Sequence, residues 1–239
     1  MLFRSVLARR QWKLANKWRA DRRLVDIGCG TGQFLKVASQ AVPLGFAYGV
    51  EIDATSLIVA CSAGLAVSEE IPLSDQPTLF TMWHSAEHFP VTELISLFRS
   101  VNNHSEHRLL ISIPNSDSTA LARYGTKAAF SDPEHHHTQM NRVSLEFLLR
   151  SSGWKIVAQD RLWLYGLFSC LQTTLNLTMP KNFVYETMRR KGERLPLLLL
   201  PKVTLALLRK MPALLRLLAA ELNSKSRSCL IIIATPSES

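Results

Sequence analysis

The chain has 239 residues, of which 47% are hydrophobic and 20% charged, with a formal net charge of +9 at pH 7. This length and composition allow one sizeable buried core, which favours one domain with an insertion over two independent domains. The four cysteines include no C-x-x-C pair, which argues against a zinc motif and against a disulfide framework. We therefore expect a reducing compartment and a cytoplasmic protein. The cysteines are Cys29, Cys61, Cys170 and Cys229.

The positive charge is concentrated towards the two ends of the chain. Residues 1–23 hold eight Lys/Arg and one acid, residues 24–180 hold nine and fourteen, and residues 181–227 hold eleven and three. An enzyme that acts on nucleic acid commonly places cations around its cleft, so the acidic central region argues against a nucleic-acid partner. In the basic regions the cations alternate with Leu, Phe and Trp, which favours contact with an anionic membrane surface.

Residues 1–22 are predicted to form a basic, amphipathic N-terminal helix. The absence of acids over residues 1–20 also resembles a mitochondrial transit peptide. A strand is expected to begin at about Arg23, however, so cleavage would remove a helix that belongs to the fold, and a structural or membrane-surface helix is the favoured interpretation. The apolar face is predicted to contain Leu2, Phe3, Val6, Leu7, Leu14 and Trp18.

A glycine turn followed by an acid is the most informative pattern in the sequence. Gly28, Gly30 and Gly32 follow a short hydrophobic run, and glycine allows the main chain to approach a ligand closely. Glu51 ends the next hydrophobic run, 23 positions after Gly28, where a carboxylate can accept hydrogen bonds from two ribose hydroxyls. The pattern predicts a nucleotide-type site for a ligand that contains a ribose.

The glycine spacing distinguishes between two kinds of ribose ligand. Dinucleotide sites typically have the spacing G-x-G-x-x-G, but here Gln33 fills the third glycine's place and the spacing is G-x-G-x-G. Asp26, two residues before the first glycine, suits a ligand with a positive centre better than one with two phosphates. The pattern therefore disfavours a nicotinamide dinucleotide.

Hydrophobic periodicity predicts alternating strands and helices over the whole chain, as in a doubly wound α/β sheet. Asn141 is the expected N-cap of one helix, and Gly153 is expected to end it. The fold class is α/β, with a Rossmann-like, doubly wound, seven-stranded sheet and a helical insertion between the last two strands. Strands are predicted at about 23–27, 46–51, 65–67, 79–83, 109–113, 154–158 and 229–234, and helices at 33–41, 54–63, 91–101 and 142–151.

The domain is expected to extend over residues 23–239, with a hydrophobic and basic insertion at about 163–225. Residues 162–180 lack charge, but their second half is too polar for a membrane span. Residues 196–222 are rich in leucine, and prolines and cations interrupt them. Two or three helices lying on a membrane fit this pattern, as do helices that pack on the core or on a second subunit.

These motifs resemble those of class I S-adenosylmethionine-dependent methyltransferases. The run V-D-I-G-C-G-T-G, which begins at Val25, is similar to their first motif, and the strand that ends in Glu51 is similar to their second. Residues 80–90, with the sequence FTMWHSAEHFP, look like the fourth-strand motif of the small-molecule enzymes. The resemblance implies S-adenosyl-L-methionine as the cofactor.

Two further segments extend the resemblance to the subgroup that includes ubiquinone-type methyltransferases. These are Pro114-Asn115, after the fifth strand, and the run P-E-H-H-H at residues 133–137. The resemblance covers about residues 23–160 and the last strand, and it specifies fold and cofactor better than substrate. Ubiquinone-type relatives place two acids and a histidine after the fourth strand, whereas this chain has His84 in place of one acid, so no metal is expected.

The resemblance also implies the site residues. Methyl transfer to oxygen requires removal of a proton, for which His88 and a histidine of the 135–137 run, His136, are the candidates. A brace for the strand end and a solvated loop are the structural alternatives for these two positions. The positions implied for cofactor binding are Asp26, Gly28, Cys29, Gly30, Gly32, Glu51, Ile52, Trp83 and His84.

The sequence thus predicts a methyltransferase for a small or lipid-like acceptor, which the insertion would cover, at a membrane surface. One alternative is methylation of RNA or protein, which the acidic central region disfavours. The other is a non-catalytic scaffold that retains the cofactor fold, which the presence of both Asp26 and Glu51 disfavours.

Overall fold

The computed structural model describes residues 2–72, 75–190 and 199–237, and within them seven strands form one sheet in the order β3-β2-β1-β4-β5-β7-β6. The first five strands pair in parallel, whereas β6 and β7 pair antiparallel, so the expectation of a parallel sheet is confirmed for the first five strands and is wrong for the pair β6–β7. The strands are β1 (Arg23–Ile27), β2 (Ala47–Val50), β3 (Val67–Ser68), β4 (Thr78–Trp83), β5 (Arg108–Pro114), β6 (Trp154–Asp160) and β7 (Cys229–Pro236).

Ten helices are found in the described part of the chain. They include the expected helices close to their predicted bounds, and one short helix after β5 that was not predicted. The helices are α1 (Leu2–Arg19), α2 (Gln33–Ser39), α3 (Ala54–Ser62), α4 (Val91–Ser100), α5 (Thr119–Tyr124), α6 (Arg142–Ser151), α7 (Trp163–Asn176), α8 (Phe183–Arg190), α9 (Leu200–Arg209) and α10 (Met211–Glu221).

The described residues form two compact units. The sheet unit consists of residues 4–113, 136–162 and 230–237, and the helical unit consists mainly of residues 114–135 and 163–229. The helical unit therefore combines the region between β6 and β7 with the segment that follows β5. The expected insertion at about 163–225 includes residues 191–198, which lie outside the described residues.

The core of the sheet unit is built from the strands and from α4 and α6. Phe98 of α4 and Leu149 of α6 are fully buried, and the fully buried Trp154 donates its indole N–H to the Phe98 carbonyl oxygen at 2.8 Å. Asn141 and Ser144 cap the first turn of α6 with reciprocal side-chain to backbone hydrogen bonds, as the N-cap prediction requires. Helix α6 is thereby fixed at its first turn within the sheet unit.

The buried face of the N-terminal helix α1 agrees only in part with the predicted one: Leu14 is buried, and Leu7 and Trp18 are half-buried. Val6 is exposed, whereas Gln11 is buried, so the predicted apolar face is wrong at these two positions. The buried positions include the small side chains of Ala8 and Ala15, which a pattern based on large apolar residues does not identify. The side chains of Leu2 and Phe3 lie outside the described ones. The buried residues of α1 are Ala8, Gln11, Leu14 and Ala15.

Helix α7 of the helical unit buries polar side chains that bind the segment after β5. Thr173 accepts a hydrogen bond from the Ala129 amide at 3.0 Å, and Asn176 donates one to the Lys127 carbonyl oxygen at 2.9 Å. These contacts explain why the uncharged but polar second half of this segment forms a packed helix. Among the described residues no helix is long and apolar enough to cross a membrane.

Candidate active site

The glycine turn begins where β1 ends, at the carboxyl edge of the sheet. Gly28, Gly30 and Gly32 have φ angles of 73°, 54° and 77°, which glycine adopts without strain. A Cβ on Gly28 would lie only 2.5 Å from the Cβ of Ser85, whose hydroxyl donates a hydrogen bond to the Ile27 carbonyl oxygen at 2.7 Å. The turn is therefore held against the residues that follow β4.

The Glu51 carboxylate lies at the end of β2 and binds the glycine turn directly. Its Oε2 accepts a hydrogen bond from the Gly30 amide at 2.6 Å, and its Oε1 accepts one from the Asp53 amide at 2.9 Å. Each carboxylate oxygen can accept a second hydrogen bond. Glu51 can thus fix the turn and still accept hydrogen bonds from ribose hydroxyls, as the sequence predicts.

Asp26 is a buried acid near the end of β1. It is 3% exposed, and its Oδ1 accepts a hydrogen bond from the Thr81 hydroxyl at 2.7 Å. Burial raises the pKa of Asp26 to about 7, the Thr81 hydrogen bond opposes this rise, and the charge of Glu51 adds to it. A positively charged ligand group nearby would favour the ionised form of this acid.

Cys29 and Ile52 occupy different environments although both were predicted to contact the cofactor. The Cys29 side chain is buried, and a Cβ on Gly49 would lie 2.7 Å from its Sγ. Burial, with the charges of Asp26 and Glu51, raises the pKa of the Cys29 thiol to about 12, so it is neutral. Ile52 is 74% exposed, and it lies two residues after the end of β2, next to Glu51 in the sequence.

Trp83 ends β4 and packs against the first turn of α2. Its ring lies edge-on to Phe34, with centroids 5.4 Å apart and planes at 61°. The indole Nε1 is buried and has no hydrogen-bond partner among the described residues. A buried donor of this kind usually has a partner, and a ligand at the turn could supply one.

His84 adopts a left-handed backbone conformation immediately after β4. Its φ angle is 54°, and its amide donates a hydrogen bond to the Ser112 carbonyl oxygen at 2.8 Å. Its Nδ1 lies 3.2 Å from Oε1 of Glu87, a residue that is almost fully buried. His84 therefore positions Glu87, a contact that the predicted role in cofactor binding does not include.

The histidine predicted in the 135–137 run lies close to His88. The rings of His88 and His136 are 5.0 Å apart between centroids, with planes at 74°. His135 instead pairs with Asp132, with Nδ1 and Oδ1 3.0 Å apart, and His137 is exposed. Of the three adjacent histidines, His136 is thus the one next to the strand end.

The glycine turn, the Glu51 carboxylate and the residues that follow β4 are joined by hydrogen bonds at one edge of the sheet. This is the place where the family comparison indicates the cofactor site. The methyltransferase domain family matches residues 3–159, so the chain belongs to that family. Its class is that of the S-adenosylmethionine-dependent methyltransferases, and S-adenosylmethionine is the cofactor that the family and the turn indicate. The ubiquinone-type subgroup stays a prediction. Comparison with curated protein sequences gives no match.

Solved structures share the fold at low sequence identity. A SAM-dependent methyltransferase from Archaeoglobus fulgidus has a TM-score of 0.55 and 20% identity, over 97% of this chain and 94% of that one. Magnesium protoporphyrin IX methyltransferase from Synechocystis, with bound SAH, has a TM-score of 0.55 and 11% identity, over 99% and 84%. Haemonchus contortus phosphoethanolamine N-methyltransferase 2 has a TM-score of 0.58 and 12% identity, over 95% and 53%. These likenesses confirm the predicted α/β fold.

Proposed function

We propose that the protein transfers the methyl group of S-adenosylmethionine to an oxygen atom of a small or lipid-like acceptor. The observation that carries the proposal is the pair of imidazoles, His88 and His136, which meet edge-on beside the carboxyl end of β4. Imidazole is the side chain best suited to take a proton near neutral pH. Trp83 and His84, on the same edge, would line the cofactor.

Methyl transfer to oxygen requires that the protein orients the acceptor and removes the proton of its hydroxyl group, and little more. The sulfonium is already a good leaving group, so an acceptor oxygen held in line with the methyl group gains most of its rate from orientation. As the O–CH₃ bond forms and the S–CH₃ bond breaks, the hydroxyl proton passes to His88 or His136. The products are a methyl ether or ester and neutral S-adenosylhomocysteine.

A methyl-transfer assay with isotopically labelled S-adenosylmethionine tests this proposal. Phenols, catechols and carboxylic acids, with and without a prenyl tail, would be compared with amines of similar size. We expect labelled oxygen-linked products, and a loss of kcat of about 10²–10⁴-fold in His88→Ala and His136→Ala. His137→Ala is the matched control from the same run. Transfer to amines alone, or unchanged rates in both variants, would contradict the proposal.

We also propose that the acceptor is met at a membrane surface, through α9 and α10 of the helical unit. Leu208 and Leu215 are each 59% exposed, and the basic side chains of Arg209 and Arg216 directly follow them. Exposed leucines interleaved with cations suit the interface of an anionic bilayer.

Sedimentation with vesicles of phosphatidylglycerol and phosphatidylcholine tests the membrane contact. The triple variant Leu205→Ser, Leu208→Ser, Leu215→Ser is expected to lose binding, because it removes three exposed apolar side chains from α9 and α10. The control is Leu44→Ser, which changes a fully exposed leucine of the sheet unit. Equal sedimentation of the triple variant and the control would show that these helices do not contact the membrane.

A further inference from the structure

We propose that Arg22 and Arg108 form a binding site for a phosphate group at the amino edge of the sheet. Arg22 directly precedes β1, and Arg108 is the first residue of β5. Since β1, β4 and β5 are parallel, their amino ends share one edge of the sheet unit, whereas the glycine turn follows the carboxyl end of β1. The proposed site is therefore separate from the cofactor site, and the inference does not rest on the proposed function.

Hydrogen bonds to neighbouring oxygen atoms hold both guanidinium groups in place. The Arg22 Nε donates to the Glu106 carbonyl oxygen at 2.6 Å. The Arg108 Nη1 donates to the His107 carbonyl oxygen at 2.8 Å and to the Thr235 hydroxyl oxygen at 2.8 Å. Each guanidinium has more N–H groups than these contacts use. Both side chains are half-buried, so the remaining donors can reach a ligand from a fixed position.

The positive charge of the two arginines is not balanced by a paired acid. No carboxylate of the described residues forms an ion pair with either of them. Burial and the nearby charge of Arg22 lower the pKa of the Arg108 guanidinium, and the charge of the exposed Glu106 opposes this effect. Arginine stays protonated in proteins, so the two like charges repel each other. A bound anion would remove this repulsion.

His107 fixes the segment that carries the two carbonyl groups. It is fully buried, its Nδ1 accepts a hydrogen bond from the Thr78 amide at 3.0 Å, and its Nε2 lies 3.0 Å from the Asn103 Oδ1. Because an amide can only donate, the ring proton is on Nε2. Burial lowers the pKa of His107 to about 4, and the charges of His104 and Arg22 add to this. The neutral ring therefore holds the segment in place at neutral pH.

Arg19, the last residue of α1, brings a third guanidinium to the same place. Its Nη1 donates to the Arg22 carbonyl oxygen at 2.7 Å, and the Arg22 Nη1 donates to the Arg19 carbonyl oxygen at 3.3 Å. Guanidinium groups bind phosphate oxygens through paired N–H groups, and a terminal phosphate offers more acceptor oxygens than a carboxylate does. The cluster thus suits a phosphate better than a carboxylate. A free phosphate compound and the headgroup of phosphatidic acid both supply this chemistry.

The test is urea unfolding of the full chain in phosphate and in chloride buffers of equal ionic strength. A ligand that binds the folded state raises the unfolding midpoint with its concentration, which yields a dissociation constant for inorganic phosphate. Arg22→Gln and Arg108→Gln should each weaken phosphate binding at least about tenfold. The matched control is Arg99→Gln, because Arg99 also donates to a carbonyl oxygen, that of Ser151, at 3.0 Å. The control should respond to phosphate as the parent does.

Two results would overturn the site. An equal response to phosphate in Arg22→Gln, Arg108→Gln and Arg99→Gln would be a general salt effect, and no response in the parent would mean that the arginines bind no phosphate. The same unfolding curves show whether each variant is folded.

Sedimentation with phosphatidylcholine vesicles that contain phosphatidic acid then identifies the source of the phosphate. Weaker sedimentation of Arg22→Gln than of Arg99→Gln assigns a lipid headgroup to the site. Equal sedimentation, together with the tenfold loss of inorganic phosphate binding, assigns a free phosphate compound. Either result supports the site itself.

Discussion

Glu51 and Gly30 are joined by a hydrogen bond of 2.6 Å from the Gly30 amide to the Glu51 Oε2. The acid predicted to bind the ribose is thus also the acid that fixes the glycine turn. Because Glu51 binds the turn without a ligand, the turn is organised before a ligand arrives, which reduces the ordering cost of binding.

Removal of the Glu51 side chain should weaken cofactor binding. Glu51→Ala deletes the acceptor for ribose hydroxyls and the partner of the Gly30 amide, so we expect a loss of about 1–3 kcal/mol in S-adenosylmethionine affinity, measured by calorimetry. Asp53→Ala is the control. It removes the N-cap of α3, whose carboxylate accepts from the Ser56 amide at 2.8 Å, and should lower stability by about 1 kcal/mol with cofactor affinity unchanged.

The pKa of Asp26, about 7, predicts that cofactor affinity depends on pH. The ionised acid favours a positive ligand, so affinity for S-adenosylmethionine should rise from pH 6 to pH 8. A fall of one unit in this pKa on binding corresponds to about a tenfold change in affinity. Calorimetry at three pH values should show the rise in the parent and a flatter profile in Asp26→Asn. A profile equally steep in both would assign the dependence to another group.

The same raised pKa has an opposite effect on the stability of the unliganded protein. The unfolded chain releases the Asp26 proton near the ordinary pKa of an aspartate, 3.8, whereas the folded protein holds it up to about pH 7. The folded state therefore binds more protons in this window, and the contribution of Asp26 to stability falls as the pH rises through it. Urea unfolding at pH 5 and pH 7.5 should show a smaller fall in Asp26→Asn than in the parent.

Gly28 should not tolerate a side chain, even alanine. Gly28→Ala forces a residue with a Cβ into φ 73° and places that Cβ 2.5 Å from the Ser85 Cβ. Gly45→Ala has a similar φ of 81°, but nothing lies within 4 Å of its Cβ position, so it isolates the backbone strain. We expect about 1–2 kcal/mol of destabilisation for Gly45→Ala and about 1–3 kcal/mol more for Gly28→Ala. Equal unfolding free energies would mean that the turn is not held against Ser85.

The buried polar side chains of α7 should contribute to the stability of the helical unit through their hydrogen bonds. Thr173→Val keeps the shape but leaves the Ala129 amide without its acceptor, at a cost of about 1–3 kcal/mol in the free energy of unfolding. Thr204→Val, at an exposed position of α9, is the control and should change stability little. A cost no greater for Thr173→Val than for Thr204→Val would contradict the contact.

Sequence patterns predicted the sheet and the glycine turn because both depend on local rules. Strand hydrophobicity, glycine at positive φ and the Asn141 cap are set by neighbouring residues, and the bounds of α6 were predicted without error. The third strand was placed too early, at 65–67, since Val67–Ser68 is too short to give a period. Helix α5, six residues long, gave no usable pattern for the same reason.

Rules that depend on neighbouring residues do not predict contacts between residues that are far apart in the sequence. His88 and His136 are 48 positions apart, and their rings come to 5.0 Å where Thr138 hydrogen-bonds to the carbonyl oxygens of Glu87 and Phe89. The burial of Glu87 likewise depends on packing after β4, not on its neighbours in the sequence. Three adjacent histidines are a visible signal, but the sequence alone does not reveal which of them meets the strand end.

The central claim, a class I methyltransferase site, is tested most directly by calorimetric titration with S-adenosylmethionine and S-adenosylhomocysteine, with NADH as the control. We predict micromolar binding of both sulfur ligands and none of NADH, because the turn has the G-x-G-x-G spacing and Asp26 favours a positive ligand. Binding of NADH alone, or of none of the three, would contradict it.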